Sequence, residues 1–467
     1  MSEERSQLIE KKARIVTQQN VPVKINRLIS DKGGQGDVFH VTMGGKDYAM
    51  KWYCTQPCDV IGGSQFKTIQ NIYGEKKQPD RTDAKKVFVW PLYMVAEDRW
   101  PENDAAIAEA KKQKKRFGYL MELVPEGFYE MEDFLRMDDD ARKQRFAGWN
   151  ASLLAGMNIA EAMKKLHLMG YSYKDLNPKN FMFQPQTGDV LVVDNDNVSV
   201  NEDPCSVRGM KGYMAPEIPR TNMKMIPDRY TDFYSLAVIL YRLFLVDHPM
   251  EGRMWSKMNL CNDESETYMY SIKPVFHFDP KNDSNRPDDV YAPNAAYRWN
   301  HIIPEELRSL FTLAFTAGID QREKRIIEGT WVRALEACRE RLIRISGGKE
   351  CFVEFGNPSK VPPRCLGLKI NKHMVALYPQ KAIYQGTLND DDRCYDKIAG
   401  GILYDPGRKV FMIRNLTKGP WRGRDPLTKT VSEIAPGKDY PIVPGTRIEF
   451  SQRPQVVGEV FDALKPQ

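Results

Sequence analysis

The stretch YKDLNPKNFMFQPQTGDVLVVDNDN, residues 173–197, contains the pattern that decides the fold. Asp175 is followed by Asn180, and a second acidic cluster starts at Asp194. Two short apolar runs lie between Asn180 and Asp194, joined by a Gly-containing turn, so we expect a β-hairpin. Either this hairpin holds a metal ion and a reacting hydroxyl between its acidic points, or it ends in two polar turns.

Length and composition are those of an ordinary globular protein. The 467 residues suffice for two or three domains, and 42% of them are apolar, yet no apolar run approaches the roughly 18 residues of a membrane span. The charged N-terminal segment, residues 1–14, lacks the apolar core of a secretory signal. We therefore expect a cytoplasmic location and no membrane partner.

The cysteines and the charge exclude several other classes. Eight scattered cysteines predict reduced thiols rather than a disulfide framework, and their spacing predicts no zinc site. The net charge of +6 lies entirely in residues 346–467, which contain 19 Lys and Arg against 13 Asp and Glu. So small an excess is typical of a solvated surface, so nucleic acid is not expected as a partner.

The pattern of apolar residues changes along the chain. Strand-like alternation dominates the first quarter, helical spacing of three and four appears from residue 151, and short apolar runs separated by turns return after residue 366. We predict an α+β fold in four parts, which are a β-rich lobe with an N-terminal extension (1–125), a helical lobe (126–345), a Gly- and Pro-rich linker (346–366) and an all-β sandwich (367–467).

A Gly-rich turn and a lysine mark the first lobe. Gly33, Gly34 and Gly36 lie between two predicted strands, where a backbone without side chains can approach a phosphate closely. Lys51 follows inside an apolar strand, YAMKW, and a buried ammonium needs an anionic partner. Phosphate oxygens would be one such partner.

Two further motifs complete an ordered set. GYMAPE (212–217) and TDFYSLAV (231–238) follow the opening stretch at the distances seen in the eukaryotic-type protein kinases, which residues 22–345 resemble. The resemblance implies a bilobal fold that binds ATP and Mg²⁺ and transfers the γ-phosphate to Ser or Thr hydroxyls of a protein substrate.

The resemblance also implies roles for the polar residues. Asp175 resembles the catalytic base, Asn180 and Asp194 resemble the ligands of Mg²⁺, and Lys51 resembles the lysine that holds the α- and β-phosphates. Lys179, which lies in the same loop, is placed to reach the γ-phosphate. These five residues form the predicted catalytic and metal-binding set.

The nucleotide-binding residues are implied in the same way. Gly33, Gly34 and Gly36 resemble the loop that covers the phosphates, and GYLMELV (118–124) resembles the hinge. The remaining predicted contacts with the nucleotide are Val38, Ala49, Met121, Glu122 and Val124. Two structural features carry over as well, namely a buried Glu217–Arg325 ion pair and the bracing of the catalytic loop by Asp232.

Several positions depart from the family pattern. Asp31 replaces the first loop glycine, and the helix that should offer a glutamate to Lys51 offers Gln65, unless Glu75 serves instead. Tyr173 and Lys174 before Asp175, and Asn195 and Asp196 after Asp194, also differ from the family pattern. In addition, Asn177 stands where the family has a lysine and Met210 where it has a threonine. Asp196 can add a second acidic group near the metal ion. In the segment between Asp194 and Glu217, the candidate hydroxyl groups for phosphorylation are those of Ser199 and Ser206, besides Tyr213.

These departures leave rival interpretations open. A catalytically inactive kinase fold that binds nucleotide or acts as a scaffold is the first, and a phosphotransferase acting on small molecules is the second. The basic run KKQKKRF (111–117) is expected to be a solvated hairpin insertion.

The C-terminal region carries a weaker resemblance. APGKDYPIVPGTRIEF (435–450) is similar to the closing strands of forkhead-associated domains, although the residues that read phosphothreonine in that family have no clear match. This module predicts either a phosphoprotein partner or a plain regulatory sandwich. The arrangement as a whole favours a bacterial source.

Overall fold

The computed structural model describes residues 14–31, 36–53, 60–73, 86–138, 142, 148–202, 208–258, 262–288, 290–389 and 394–465. Three parts follow one another along the chain, which are a β-barrel, a helical lobe and a module of two β-sheets. Within these ranges, no helix combines the length and the apolar character that crossing a membrane requires.

The N-terminal part is a closed six-stranded barrel. Its strands occur in the order β1-β2-β3-β4-β6-β5. Their bounds are β1 (Ile15–Thr17), β2 (Pro22–Ser30), β3 (Gly36–Met43), β4 (Lys46–Tyr53), β5 (Tyr93–Glu97) and β6 (Phe117–Met121). Because side chains alternate along a strand, Val41, Met50 and Leu120 fill the barrel core. Gly36 is required at the start of β3, since a Cβ there would lie 2.2 Å from the carbonyl oxygen of Trp52.

Two helices pack outside the barrel, α1 (Ser64–Ile72) and α2 (Asp104–Lys112). Phe66 and Ile69 of α1 are buried with Phe117 of β6. The basic run at 111–117 is not the hairpin insertion that the sequence predicted, because its first two lysines end α2. Alanine-rich sequence after the Asn103 cap explains this difference, since alanine has the highest helix propensity.

The helical lobe is built around two long helices, α4 (Trp149–Leu168) and α6 (Arg229–Leu245). The apolar spacing predicted both, and they are confirmed. The other helices of this lobe whose bounds the structure describes are α3 (Met131–Arg136), α5 (Glu217–Arg220), α7 (Asp263–Thr267), α8 (Pro293–His301), α9 (Glu305–Ala314), α10 (Ala317–Asp320) and α11 (Glu328–Arg341).

Short strands line the side of this lobe that faces the barrel. They are β7 (Tyr129–Glu130), β8 (Tyr171–Ser172), β9 (Phe181–Gln184), β10 (Asp189–Val192) and β11 (Ser199–Val200). β9 and β10 are the hairpin predicted from the opening stretch, and they pair antiparallel. Gly188 in their turn has φ +81°, and a Cβ there would lie 2.4 Å from the carbonyl oxygen of Ala151. Glycine therefore lets the hairpin sit directly on α4.

The segment predicted to link the lobe to the C-terminal region is itself packed. β12 (Leu342–Arg344) pairs antiparallel with β13 (Glu350–Phe352). Val353, Val361 and Cys365 are buried beside Ala376 of the next strand hairpin. The segment predicted to be a linker therefore contains a strand pair and an apolar core of its own.

The C-terminal module contains two antiparallel sheets. One has six strands in the order β15-β14-β23-β22-β19-β20, and the other has four in the order β16-β17-β18-β21. Apolar residues of both sheets, among them Ile402, Ile413, Trp421 and Ile448, share one core. The strands are β14 (Leu366–Ile370), β15 (His373–Leu377), β16 (Ala382–Tyr384), β17 (Ile398–Asp405), β18 (Val410–Asn415), β19 (Trp421–Arg424), β20 (Val431–Ile434), β21 (Asp439–Ile442), β22 (Arg447–Gln452) and β23 (Gln455–Asp462).

One segment departs from the all-β prediction for residues 367–467. In the apolar run AIYQGTL (382–388) only the first three residues are a strand, and α12 (Gln385–Asn389) follows. Thr387 of α12 is buried and donates a hydrogen bond to Glu340 of α11, 2.8 Å away. A contact with the helical lobe therefore outweighs the strand propensity of this run.

The module is fixed to the helical lobe through polar contacts. Arg339 of α11 donates to the carbonyl oxygen of Tyr395 at 2.5 Å, and its guanidinium lies 3.6 Å from the ring centre of Tyr384. The hydroxyl of Tyr395 donates to Asn158 of α4 at 2.7 Å, and Asn158 donates to the carbonyl oxygen of Gly188 at 2.8 Å. A hydrogen-bonded path thus joins the module to the turn of the β9–β10 hairpin.

Candidate active site

Lys51 is buried in the barrel and bonded to two carboxylates. It lies on β4 opposite Val38 of β3 and Tyr119 of β6, and it is 4% exposed. Its Nζ donates to Asp194 and, at 2.8 Å, to Oδ2 of Asp196. Burial alone lowers the pKa of this ammonium, but the two carboxylates outweigh it and raise the pKa above its ordinary value. The sequence predicted an anionic partner for this buried ammonium, and two aspartates of the protein itself are such partners.

The turn that carries both carboxylates is held by the side chain between them. Asp194 has a left-handed backbone with φ +59°, and a single 3₁₀ turn, Asn195–Asn197, follows it. The amide of Asn195 is fully buried and donates to the carbonyl oxygens of Val89 at 3.0 Å and Val192 at 2.9 Å. Hydrogen bonds from a buried polar side chain therefore fix this turn.

Gln65 of α1 does not bond Lys51, so that prediction is wrong. Its amide nitrogen donates instead to the backbone oxygen of Asp196 at 2.8 Å and to the hydroxyl of Tyr53 at 3.4 Å. The Asp196 carboxylate lies between the helix and the lysine and also accepts a hydrogen bond from Tyr53. Glu75, the alternative partner, lies outside the described residues.

The loop that carries Asp175 is braced from α6. Asp232 accepts hydrogen bonds from the backbone nitrogens of Tyr173 at 2.6 Å and Lys174 at 2.9 Å. Its carboxylate also lies 3.0 Å from Nε2 of His167, whose other ring nitrogen contacts Glu328. The predicted bracing role of Asp232 is confirmed. Its contact with His167 was not predicted.

Asp175 is half-buried next to two amides. Asn177 donates to its carboxylate at 3.2 Å, and Asn180 donates to its backbone oxygen at 2.8 Å. Burial raises the pKa of Asp175 to about 7, and the charges of Asp194 and Asp196 add to this against the opposing effects of Asn177 and Lys51. A carboxylate in this range can accept a proton near neutral pH.

The oxygen atoms near Asp194 suit a hard cation. The amide nitrogen of Asn180 is used by Asp175, which leaves its oxygen for other partners. Oδ1 of Asp196 is buried and has no hydrogen-bond partner among the residues that the structure describes. Carboxylate and amide oxygens are typical Mg²⁺ ligands. Among the described residues no cluster of three or more His, Cys, Asp or Glu could hold a metal ion. Mg²⁺ bound through one or two carboxylates and a nucleotide does not require such a cluster.

The remaining predicted residues surround these groups. Lys179 is exposed in the turn between Asp175 and Asn180, and its backbone nitrogen donates to Asn177. Met121 ends β6 opposite Ala49, and the hinge residues Glu122 and Val124 follow it, exposed and half-buried respectively. Gly36 begins β3, two residues before half-buried Val38, whereas Gly33 and Gly34 lie outside the described residues.

The predicted ion pair behind the site is confirmed. Arg325 makes two bonds of 2.7 Å to the carboxylate of Glu217, one from each terminal nitrogen. In the segment between Asp194 and Glu217, Ser199 accepts a hydrogen bond from Lys174 at 2.6 Å, while Ser206 lies outside the described residues.

Residues 102–322 match the model of the protein kinase domain. This region contains Asp175, Asn180 and Asp194 but starts after Lys51 and α1. The first five barrel strands and α1, where the departures at the Gly-rich turn and Gln65 occur, therefore lie outside the matched region, as do residues 323–467.

Curated relatives agree with this match at low identity. Mouse (Mus musculus) cGMP-dependent protein kinase 2 is 27% identical over 136 residues, which are 28% of this chain and 16% of that protein. Serine/threonine-protein kinase Sgk1 of Homo sapiens is 29% identical over 110 residues, which are 22% of this chain and 25% of that protein. The chain thus spans a quarter or less of the length of these relatives.

A solved structure is similar over a longer stretch. The ROP18 kinase domain in complex with AMP-PNP and sucrose is 15% identical, with a TM-score of 0.46, and the similarity covers 72% of this chain and 86% of that one.

Proposed function

We propose that this protein is an ATP- and Mg²⁺-dependent protein kinase that transfers the γ-phosphate to Ser or Thr hydroxyls of protein substrates. The observation that carries the proposal is the meeting of Lys51 from the barrel with Asp194 from the hairpin, beside the braced loop of Asp175. The match of residues 102–322 to the protein kinase domain supports it.

The proposed mechanism depends mainly on position and charge. Asp175 accepts the hydroxyl proton of the substrate, a task suited to a half-buried carboxylate whose pKa is about 7. Lys51 holds the α- and β-phosphates, and exposed Lys179 contacts the γ-phosphate. Asn180 and Asp194 would hold Mg²⁺ through oxygen atoms, and the ion, when bound, neutralises charge on the phosphates.

The proposed nucleotide site lies between the barrel and the helical lobe. Ala49 and Val38 of the β3–β4 hairpin provide an apolar surface for the adenine, and the backbone at Glu122 and Val124 offers it hydrogen bonds. Met121, half-buried at the end of β6, limits the depth of this space.

A second candidate is a nucleotide-binding regulator without transfer activity. The observation that favours it is that both bonds of Lys51 go to aspartates, while Gln65 offers no carboxylate from α1. In that case the lysine would hold the turn of Asp194 closed instead of binding phosphates.

Labelled ATP separates the two candidates. The full chain is incubated with Mg²⁺ and a generic protein substrate, beside Asp175→Asn, Asp194→Asn and the control Asp133→Asn on the exposed face of α3. Label transferred by wild type and the control, but not by the other two variants, supports the kinase. Nucleotide binding without transfer supports the regulator, and the absence of both contradicts each proposal.

For the C-terminal module we propose a regulatory role, with phosphoprotein binding as its rival. The contacts of Arg339 and Tyr395, which fix the module to the helical lobe, support regulation. Binding of a phosphothreonine peptide library but not of its unphosphorylated counterpart would favour the forkhead-associated interpretation instead.

A further inference from the structure

Asp196 is a buried carboxylate in direct contact with Lys51. Its side chain is fully buried, and Oδ2 accepts hydrogen bonds from Lys51 at 2.8 Å and from Tyr53. Within the described part of the chain, Oδ1 has no hydrogen-bond partner. Because an unpaired buried charge costs several kcal/mol, the direct contact with this carboxylate compensates the buried ammonium of Lys51.

The two aspartates that contact Lys51 differ in their freedom to move. The side chain of Asp194 is 41% exposed, whereas that of Asp196 is 0% exposed. Asp194 can turn towards a ligand in the cleft, but Asp196 is enclosed by Tyr53 and the barrel. Asp196 is therefore the partner that stays with Lys51 when Asp194 serves another group.

Helix α1 is attached to the same turn without a charge. The neutral amide of Gln65 donates to the backbone oxygen of Asp196 at 2.8 Å. Helix α1 is therefore bonded to the backbone of the turn, while the side chain of Asp196 is bonded to the lysine. A glutamate at position 65 would instead repel both this carbonyl and the adjacent carboxylate.

We propose that Asp196 is the residue that positions Lys51, in place of a carboxylate from helix α1. The orientation of the lysine then depends on the turn of residues 194–197 and not on a movement of the helix, so the site is regulated through that turn. The inference rests on the proposed function only in assigning Lys51 to phosphates.

The test moves the carboxylate from the turn to the helix. Asp196→Gly removes it, and Gln65→Glu in the Asp196→Gly background supplies one from α1. Two quantities are measured on the full chain, namely the Kd for ATP with Mg²⁺ and the rate at which acetic anhydride acylates Lys51, quantified by mass spectrometry of its peptide. The second readout needs no nucleotide.

The proposal predicts opposite effects of one substitution in two backgrounds. Asp196→Gly should raise the Kd about tenfold and speed the acylation of Lys51 about tenfold, because the amine loses the buried carboxylate that holds it in place. Gln65→Glu should reverse both changes in that background but weaken ATP binding in wild type. Asp133→Asn, on the exposed face of α3, is the control and should change neither quantity by more than about twofold.

Unchanged acylation in Asp196→Gly, or no recovery with Gln65→Glu, overturns the proposal. If Asp196→Gly does not fold, Asp196→Asn keeps the shape of the side chain and removes its charge, and the same acylation change is expected. A wild type that transfers no phosphate but shows the predicted acylation pattern contradicts the proposed kinase activity alone. Normal transfer with an unchanged pattern contradicts the inference alone.

Discussion

Two buried cations, Arg325 in the helical lobe and Lys51 in the barrel, are paired in different ways. Arg325 makes two bonds to Glu217, and its other bonds reach the backbone oxygens of Gly318 at 2.9 Å and Tyr230 at 3.0 Å. Lys51 has two carboxylates for one positive charge, and one oxygen of Asp196 receives no hydrogen bond from any described residue. A fully bonded cation fixes structure, whereas an excess of acceptors leaves capacity for a ligand.

The chemistry of the two side chains explains this difference. A guanidinium is a planar fork that matches one carboxylate and keeps further donors for carbonyl groups, whereas an ammonium is a compact charge that can exchange partners. The Arg325 network should therefore resist change, and the Lys51 cluster should respond to nucleotide and metal ions.

The largest effect is expected from Asp194→Asn in the Lys51 cluster. Removing this charge should reduce phosphate transfer about a thousandfold, because an electrostatic contact with the transferring group is lost. Stability should change little, since Asp196 remains with Lys51. Transfer is measured with labelled ATP and stability by urea denaturation, with Asp133→Asn as control. A large loss of stability alongside the loss of transfer would contradict this expectation, because the Lys51 cluster would then support the fold in the same way as the Arg325 pair.

The next effect concerns the fully bonded pair. Arg325→Met should lower the free energy of unfolding by about 3 kcal/mol, because it removes the two-bond partner of Glu217 and leaves that carboxylate the ion pair with Arg322 at 3.1 Å. The double variant Glu217→Leu/Arg325→Met should lose less than Arg325→Met alone. Urea denaturation of the three proteins measures both values, and a double variant that loses the sum of the two single losses would show that no coupling exists.

A third network, at His167, predicts a dependence of stability on pH. Burial lowers the pKa of His167, but the bonds and charges of Asp232 and Glu328 outweigh it and raise the pKa from 6.5 to about 9. Because the folded pKa is the higher one, this contribution is complete below pH 6.5 and is lost as pH rises through about 9. The loss amounts to about 3 kcal/mol.

Denaturation with urea at several pH values between 6 and 10 measures this loss. The variant His167→Asn lacks the titrating ring and should show a flatter profile over the same interval. Equal slopes for wild type and variant would exclude the imidazolium between the two carboxylates.

The smallest effect is expected at the surface. Arg414 binds Asp439 with bonds of 2.7 and 2.9 Å, the same two-bond geometry as Arg325, but its side chain is 43% exposed. Water screens such a pair. Arg414→Ala should leave the thermal midpoint unchanged, and a clear decrease would mean that geometry rather than burial makes the Arg325 pair strong.

The sequence predicted best where local pattern and family motif agree. The spacing of apolar residues predicted α4 and α6, and the alternation around Gly188 predicted the β9–β10 hairpin, because each reflects one buried face. The Glu217–Arg325 pair and the bracing by Asp232 followed from motifs whose residues have one structural use.

The parts that failed depend on contacts between distant segments. Nothing near Gln65 indicates that Asp196 would lie between it and Lys51, since those residues meet only when the barrel closes on the helical lobe. The departure at Asp196, an extra acidic residue two positions after Asp194, was the available signal. Similarly, α12 forms where strand was expected because Thr387 reaches Glu340 of a helix far back in the chain.

The contacts of Arg339 decide how this protein can be divided. A shortened chain that ends after α11 would keep the kinase-like region but remove both the ring of Tyr384 and the carbonyl of Tyr395 from this arginine, which is 4% exposed in the whole molecule. The same cut would also remove the Tyr395 hydroxyl, from which Asn158 accepts a hydrogen bond. Measurements on the isolated region would therefore describe a protein with a different surface, and the whole chain is the natural unit for purification and assay.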